Sequence, residues 1–418
     1  MSVKKRVFIM VLTVITVFSA VLTLSSCGKG KKITLNVYNW GEYISDGSED
    51  SLDVNAAFEE YCASLGLNVE VNYTTYASNE DMFNKLDSGA TSYDIIIPSE
   101  YMIERMIKND MLEPLNFENI PNFQYIRDDF KKPFYDPDGL YSVPYTYGMV
   151  GVIYNSKPGC VDEADIGSWD LLWNEKYAGK ILQYNNSRDA FGTAMYKLGI
   201  DVNTENPEDW QRALEQLKAQ KPLVQSYVMD EIYNKMTGES AYIASYYAGD
   251  YLTMYLDNEN LSFYYPEEGT NIFVDAMCIP KGSKNKEIAE KYINFMLSVD
   301  ENDPYNSPAI ANAEYIGYAS PNRLVYENEQ YIADMQDWHP DAMRILYPET
   351  VEGETVKTSY YKNLPEESLN RLNTLWEELK IDTGTETWVY VTSIIIVAAL
   401  AGFLVYRAVI KKIRSRMY

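Results

Sequence analysis

Tyr38-Asn39-Trp40-Gly41-Glu42-Tyr43 sets large aromatic rings beside one carboxylate. Ring faces next to an acid suit an organic cation. A second acid, Asp275, interrupts the otherwise apolar run Phe273-Val274-Asp275-Ala276-Met277-Cys278-Ile279-Pro280. An unpaired charge inside a buried strand is costly, so this position reads as a charge kept for a ligand. Pro98-Ser99-Glu100-Tyr101 and Asn186-Ser187-Arg188-Asp189 are two further polar clusters. On local pattern alone, Ser99 and Asp189 serve equally well as helix caps, and Trp40 and Tyr43 as half-buried packing rings. Catalysis has less to work with. His339 is the single histidine of the chain, which argues against histidine metal sites, triads and general-base schemes. A hydrolase with Ser99 as nucleophile would lack a base in any recognisable motif. No metal or other cofactor is expected.

These clusters need elements that carry them to one place. Ile33, Leu35 and Val37 alternate as a first strand that runs out into the Trp40 loop. A helix is predicted through Leu52, Phe58, Tyr61 and Leu65, closed by Gly66. Leu67 to Tyr73 alternates as a second strand, Met82, Phe83 and Leu86 mark another helix, and Asp94-Ile95-Ile96-Ile97 reads as a buried strand. A further helix through Met102 and Met106 follows, with Ser99 placed to cap it. Strand and helix alternate here as in right-handed parallel crossovers. Loops at the carboxyl ends of such strands are where open α/β sheets hold ligands, which is where Trp40 and Ser99 fall. The glycine-bearing strand from Gly148 to Asn155 and the strand from Phe273 to Pro280 are expected to cross between two lobes, with a third crossing near Gly317 to Arg323. Between them, Ile181-Leu182-Gln183 starts a second α/β unit, whose next helix is capped by Ser187 or Asp189, and Ser240 to Tyr247 forms a strand. Trp210, Leu214 and Leu217 lie on an amphipathic helix, as do Ile288, Tyr292 and Phe295, and Leu369 to Leu379 makes a closing helix.

With 418 residues, 46% of them hydrophobic, and 37 tyrosines, the chain has material for two cores. The formal charge is −25, and every acid except Asp382 and Glu386 lies between residues 33 and 380. So acidic a domain is a poor partner for nucleic acid and attracts cations. Cys62, Cys160 and Cys278 show no metal-ligand spacing and read as mostly free, buried thiols. Lys4, Lys5 and Arg6, then an apolar run to Leu24, then Leu24-Ser25-Ser26-Cys27 form a secretory signal over residues 1–26. The placement of Cys27 resembles a bacterial lipobox, which implies a lipid on its sulfur. Residues 388–410 are long and apolar enough to span a bilayer. The basic tail 411–418 and Arg407 then lie in the cytoplasm and the acidic domain lies outside.

Several of these stretches together resemble the spermidine/putrescine-binding family of bacterial ABC importers: Tyr38 to Tyr43, Asp94 to Tyr101, Tyr141-Ser142-Val143-Pro144-Tyr145, Pro266-Glu267-Glu268-Gly269, Asp275, Ile279-Pro280 and Ile316-Gly317-Tyr318. The resemblance runs from about Ile33 to Lys380. It implies an α/β, two-lobed periplasmic-binding-protein-like fold of type II with the ligand in the interlobe cleft. One lobe would comprise 33–147 and 274–320, the other 148–273 and 321–380. Carried over position by position, Trp40, Tyr43 and Tyr101 take aromatic positions of the family's pocket, Glu42 and Asp275 acidic ones, and Ser99 a polar one. Tyr246 and Phe273 stand where the family has Trp, Asp189 where it has Glu, and Tyr361 near a late polar contact. Asn186 departs from it, since that position is usually Asp. The implied activity is polyamine binding without chemistry, with an ABC permease and ATPase as partners and the membrane reached through Cys27 and residues 388–410. Binding of another solute (a sugar, iron or an amino-acid derivative) in the same fold is the alternative.

Overall fold

The computed structural model describes residues 31–381, apart from 90, 301 and 351–354. The signal stretch, Cys27, the apolar run 388–410 and the basic tail lie outside the described residues. Among the described residues no helix is long and apolar enough to cross a membrane.

The first half of the sheet follows the alternation of the sequence. Strand β1 (Ile33–Trp40) buries Leu35 and Val37 and pairs in parallel with β2 (Val69–Tyr76) and β3 (Ile95–Ile96). Helix α1 (Val54–Ser64) starts where the Asp53 side chain accepts from the Ala56 N–H at 2.9 Å. It buries Val54, Phe58 and Cys62, spaced four apart, and stops before Gly66, whose φ of 76° suits the turn out of a helix. Helices α2 (Asn79–Asp87) and α3 (Glu100–Lys108) follow β2 and β3, as the βαβ pattern requires.

Two long strands join the halves. Strand β4 (Ser142–Asn155) is buried almost throughout; its first part pairs antiparallel with β9 (Thr270–Cys278), and its last part with β7 (Ile243–Tyr247) and β8 (Leu261–Tyr264). Strand β9 also touches β3 through Ile96 opposite Cys278. The sheet order is β2-β1-β3-β9-β4-β7-β5-β6, with β5 at Ile181–Tyr184 and β6 at Val224–Val228. The expected crossings at 148–155 and 273–280 are these strands, with β4 starting earlier, at Ser142. The third, near Gly317 to Arg323, consists of two isolated antiparallel bridges, Ala319 to Tyr147 and Asn322 to Ile126. Helix α4 (Ser187–Leu198) lies beside α5 (Pro207–Gln220), and α6 (Ala248–Asp257) follows β7 directly. The closing helix is Glu366–Ile381. Cys62 and Cys278 are buried free thiols, and Cys160 is free and half-buried.

Candidate functional site

Asp275 stands in the middle of β9, 4% exposed, at the seam of the two halves. Its Oδ1 accepts from Ser99 Oγ at 2.6 Å and its Oδ2 from the Tyr43 hydroxyl at 2.7 Å. Tyr43 also meets Thr146 Oγ1 at 2.6 Å. The loop that delivers Tyr43 is pinned by its own carbonyl, which accepts from Asn39 Nδ2 and from the Tyr145 hydroxyl, each at 3.1 Å. Ser99 sits at the N-cap position of α3 as expected, but its side chain makes no capping bond and turns to Asp275 instead. Asn79 ties in Tyr101: its Nδ2 donates to Ser99 Oγ at 3.1 Å and to the Tyr101 hydroxyl at 3.0 Å. Trp40 is half-buried, donates Nε1 to the Ile97 carbonyl at 3.0 Å and leans on Tyr76.

From the second half come rings and two more acids. Phe273 lies edge-on to Tyr247 (5.3 Å between centroids) and Tyr318 (5.8 Å), and Tyr318 edge-on to Tyr43 (5.5 Å). The Tyr247 hydroxyl donates to Asp189 Oδ2 at 3.3 Å, and the Tyr318 hydroxyl donates to Asp250. Gly249 permits the second contact, because a Cβ there would meet the Gly317 carbonyl oxygen at 2.7 Å and the Tyr318 ring at 3.0 Å. Burial pushes all three carboxyls up, Asp189 to about 7, Asp250 to about 6 and Asp275 to about 6, against the hydroxyl bonds that favour the charged form. None of the three is in an ion pair among the described residues.

Three expectations need correction. Glu42 is exposed, with φ at 50°, and is not hydrogen-bonded to the cluster; the left-handed turn at this residue sends its side chain away while Tyr43 goes in. Tyr246 is buried and stacks on Tyr184 (5.5 Å), but it is Tyr247, at the end of β7, that meets Phe273 and Asp189. Neither Ser187 nor Asp189 caps α4: Asn186 does, its Oδ1 accepting from the N–H groups of Arg188 (2.8 Å) and Asp189 (3.4 Å). The structure thus brings together Tyr43, Ser99, Tyr101, Asp189, Phe273 and Asp275. Asp250, Tyr247, Thr146 and Asn79 were missed, and Tyr318 was noted only as part of a motif. The sequence signal for Asp250 is its place just after β7, the same kind of position that marks Trp40 and Ser99.

A two-lobed α/β sheet sharing crossing strands, with unpaired acids and aromatic rings where those strands meet, defines a periplasmic-binding-protein fold. The chain belongs to the bacterial extracellular solute-binding protein family, whose model matches residues 56–336. It is 30% identical over 351 residues to the spermidine/putrescine-binding periplasmic protein of Salmonella typhimurium, covering 82% of this chain and 94% of that one. To the protein of the same description from Escherichia coli K12 it is 30% identical over 346 residues, covering 82% and 90%. The crystal structure of the spermidine/putrescine ABC transporter substrate-binding protein PotD from Streptococcus pneumoniae superposes with a TM-score of 0.66 at 31% identity, covering 83% of this chain and 98% of that chain. The family is one of binding proteins rather than enzymes.

Proposed function

We propose that this chain binds linear aliphatic polyamines between its lobes and delivers them to an ABC permease. The observation that carries the reading is the convergence of Asp189 and Asp275, both buried, and the half-buried Asp250, none in an ion pair among the described residues, on the rings of Tyr43, Tyr247, Phe273 and Tyr318. A slot of that kind matches a ligand whose ammonium groups want carboxylates and whose methylenes want apolar walls. The names of the relatives support the same ligand class. Lobe assignments of 33–147 with 274–320, and 148–273 with 321–380, fit the two crossing strands. Closure of one lobe on the other would bury the ligand, and the differential contacts of the closed form would present it to the permease.

The domain is held at the outer face of the membrane by a lipid on Cys27 and by the span 388–410, as the sequence pattern supports. Truncation after Lys380 should leave a membrane-bound protein that only an additional Cys27→Ala change releases; release by truncation alone would contradict the lipid anchor. Ligand binding itself is tested by calorimetry with Asp275→Asn alongside wild type. Equal affinity of the two for putrescine and spermidine would contradict the site.

A further inference from the structure

Beside the acidic slot lies a cavity of about 220 Å³ with walls of the opposite charge. Its walls include Tyr101 and Asn186, and it is lined by Arg105, Arg188 and Lys362, against a single acid, Glu80. Glu80 is already engaged, accepting from the Tyr101 hydroxyl at 3.1 Å. The three bases form no ion pair among the described residues. Arg188 is only 7% exposed and stacks its guanidinium over Tyr361 at 4.6 Å. Its Nη2 donates to Asn203 Oδ1 at 2.8 Å and to the Lys362 carbonyl at 3.3 Å, while Nε and Nη1 are buried and meet no acceptor among the described residues. A buried guanidinium with donors left over keeps a net attraction for an oxyanion nearby. The first turn of α4, twelve residues long, faces the same space through Ser187 and adds the positive end of its dipole.

We infer that this cavity is a subsite for a carboxylate-ended tail, so that the full ligand is an aliphatic amine carrying a terminal carboxylate on an acyl arm. The inference rests on the amine reading above and extends it to the other end of the molecule. The ammonium end lies among Asp189, Asp250 and Asp275, and the acyl arm passes Asn186, whose amide in the cavity wall adds no charge of its own. Leu369, Leu372 and Trp376 give the cavity an apolar wall for the methylenes. A third ammonium placed there would face three cations, which disfavours longer polyamines at this end.

The test is calorimetric titration of the full-length protein with four probes: putrescine, N-succinylputrescine, the uncharged N-butyrylputrescine, and spermidine. N-succinylputrescine is expected to bind at least tenfold more tightly than N-butyrylputrescine and than spermidine. The double variant Arg105→Gln/Lys362→Gln should abolish the succinyl-over-butyryl ratio while leaving the putrescine constant unchanged. Spermidine binding more tightly than N-succinylputrescine, or an unchanged ratio in the double variant, would overturn the inference and leave the amine slot standing if putrescine still binds. Absence of binding by all four would overturn the amine reading and this inference with it.

Discussion

The hydroxyl of Tyr43, in the loop after the first strand, donates to Asp275 Oδ2 at 2.7 Å across 232 residues of chain. With Ser99 on the other oxygen, Asp275 is held by two hydroxyls and, among the described residues, by no cation, so its charge is oriented but not neutralised. A carboxylate kept in that state is a receptor for an ammonium group.

Replacing Asp275 with Asn should therefore weaken diamine binding by about 2–3 kcal/mol, the range for removing one charged partner from a buried hydrogen-bonded pair. The amide still offers an acceptor to one hydroxyl, so the fold should survive. Calorimetry gives the affinity and thermal unfolding the stability; a loss of both together would make Asp275 structural rather than ligand-directed.

Asp250→Asn should cost more affinity than Glu42→Gln, because Asp250 is half-buried and hydrogen-bonded by Tyr318 while Glu42 is exposed. For Glu42→Gln a change below about 0.5 kcal/mol is expected, the scale of an exposed charge. The reverse order would show that Glu42 swings into the cleft when ligand is bound.

Binding should strengthen as pH rises. Asp189, Asp250 and Asp275 have folded values near 7, 6 and 6, above the usual carboxylate range, so in the free protein they bind protons that the unfolded chain has released. Their contribution to stability is full below about pH 4 and is lost as pH rises through about 6 to 7. An ammonium needs them ionised, so diamine affinity should climb over the same interval and level off above it. Calorimetry at pH 5, 6, 7 and 8 in buffers of different ionisation enthalpy would detect the protons released; a flat profile would mean that these acids are ionised before ligand arrives or never meet it.

Asn186 both caps α4 and lines the cavity, and two substitutions separate the roles. Asn186→Ala should lower stability by about 1 kcal/mol through the lost cap. Asn186→Asp keeps a capping oxygen and adds charge, so it should move the ratio of the spermidine and putrescine dissociation constants toward spermidine by about 1–2 kcal/mol. An unchanged ratio would leave Asn186 as a cap alone.

Much of the frame was legible because its physics is local. The alternation of Ile33, Leu35 and Val37, the apolar run around Asp275 and the buried run at Ile95 to Ile97 each state a strand, and an acid in such a run states a site. What escaped depended on geometry that spacing does not encode. Strand β6 has no buried alternation, being half-buried along most of its length, and the helices Arg323–Tyr326 and Ala342–Leu346 are too brief for a clear period. The outward turn of Glu42 is set by its backbone φ. The choice of Tyr247 over its neighbour Tyr246 depends on where β7 ends, and Asp250 at the start of α6 matches an ordinary acid in a first helical turn.

The most direct measurement is titration of the full-length protein with putrescine and spermidine at pH 7.5, for wild type and for Asp275→Asn. The account predicts saturable binding of one ligand per chain that the substitution weakens at least tenfold. No saturable heat with either amine, or equal affinity in the variant, would contradict it.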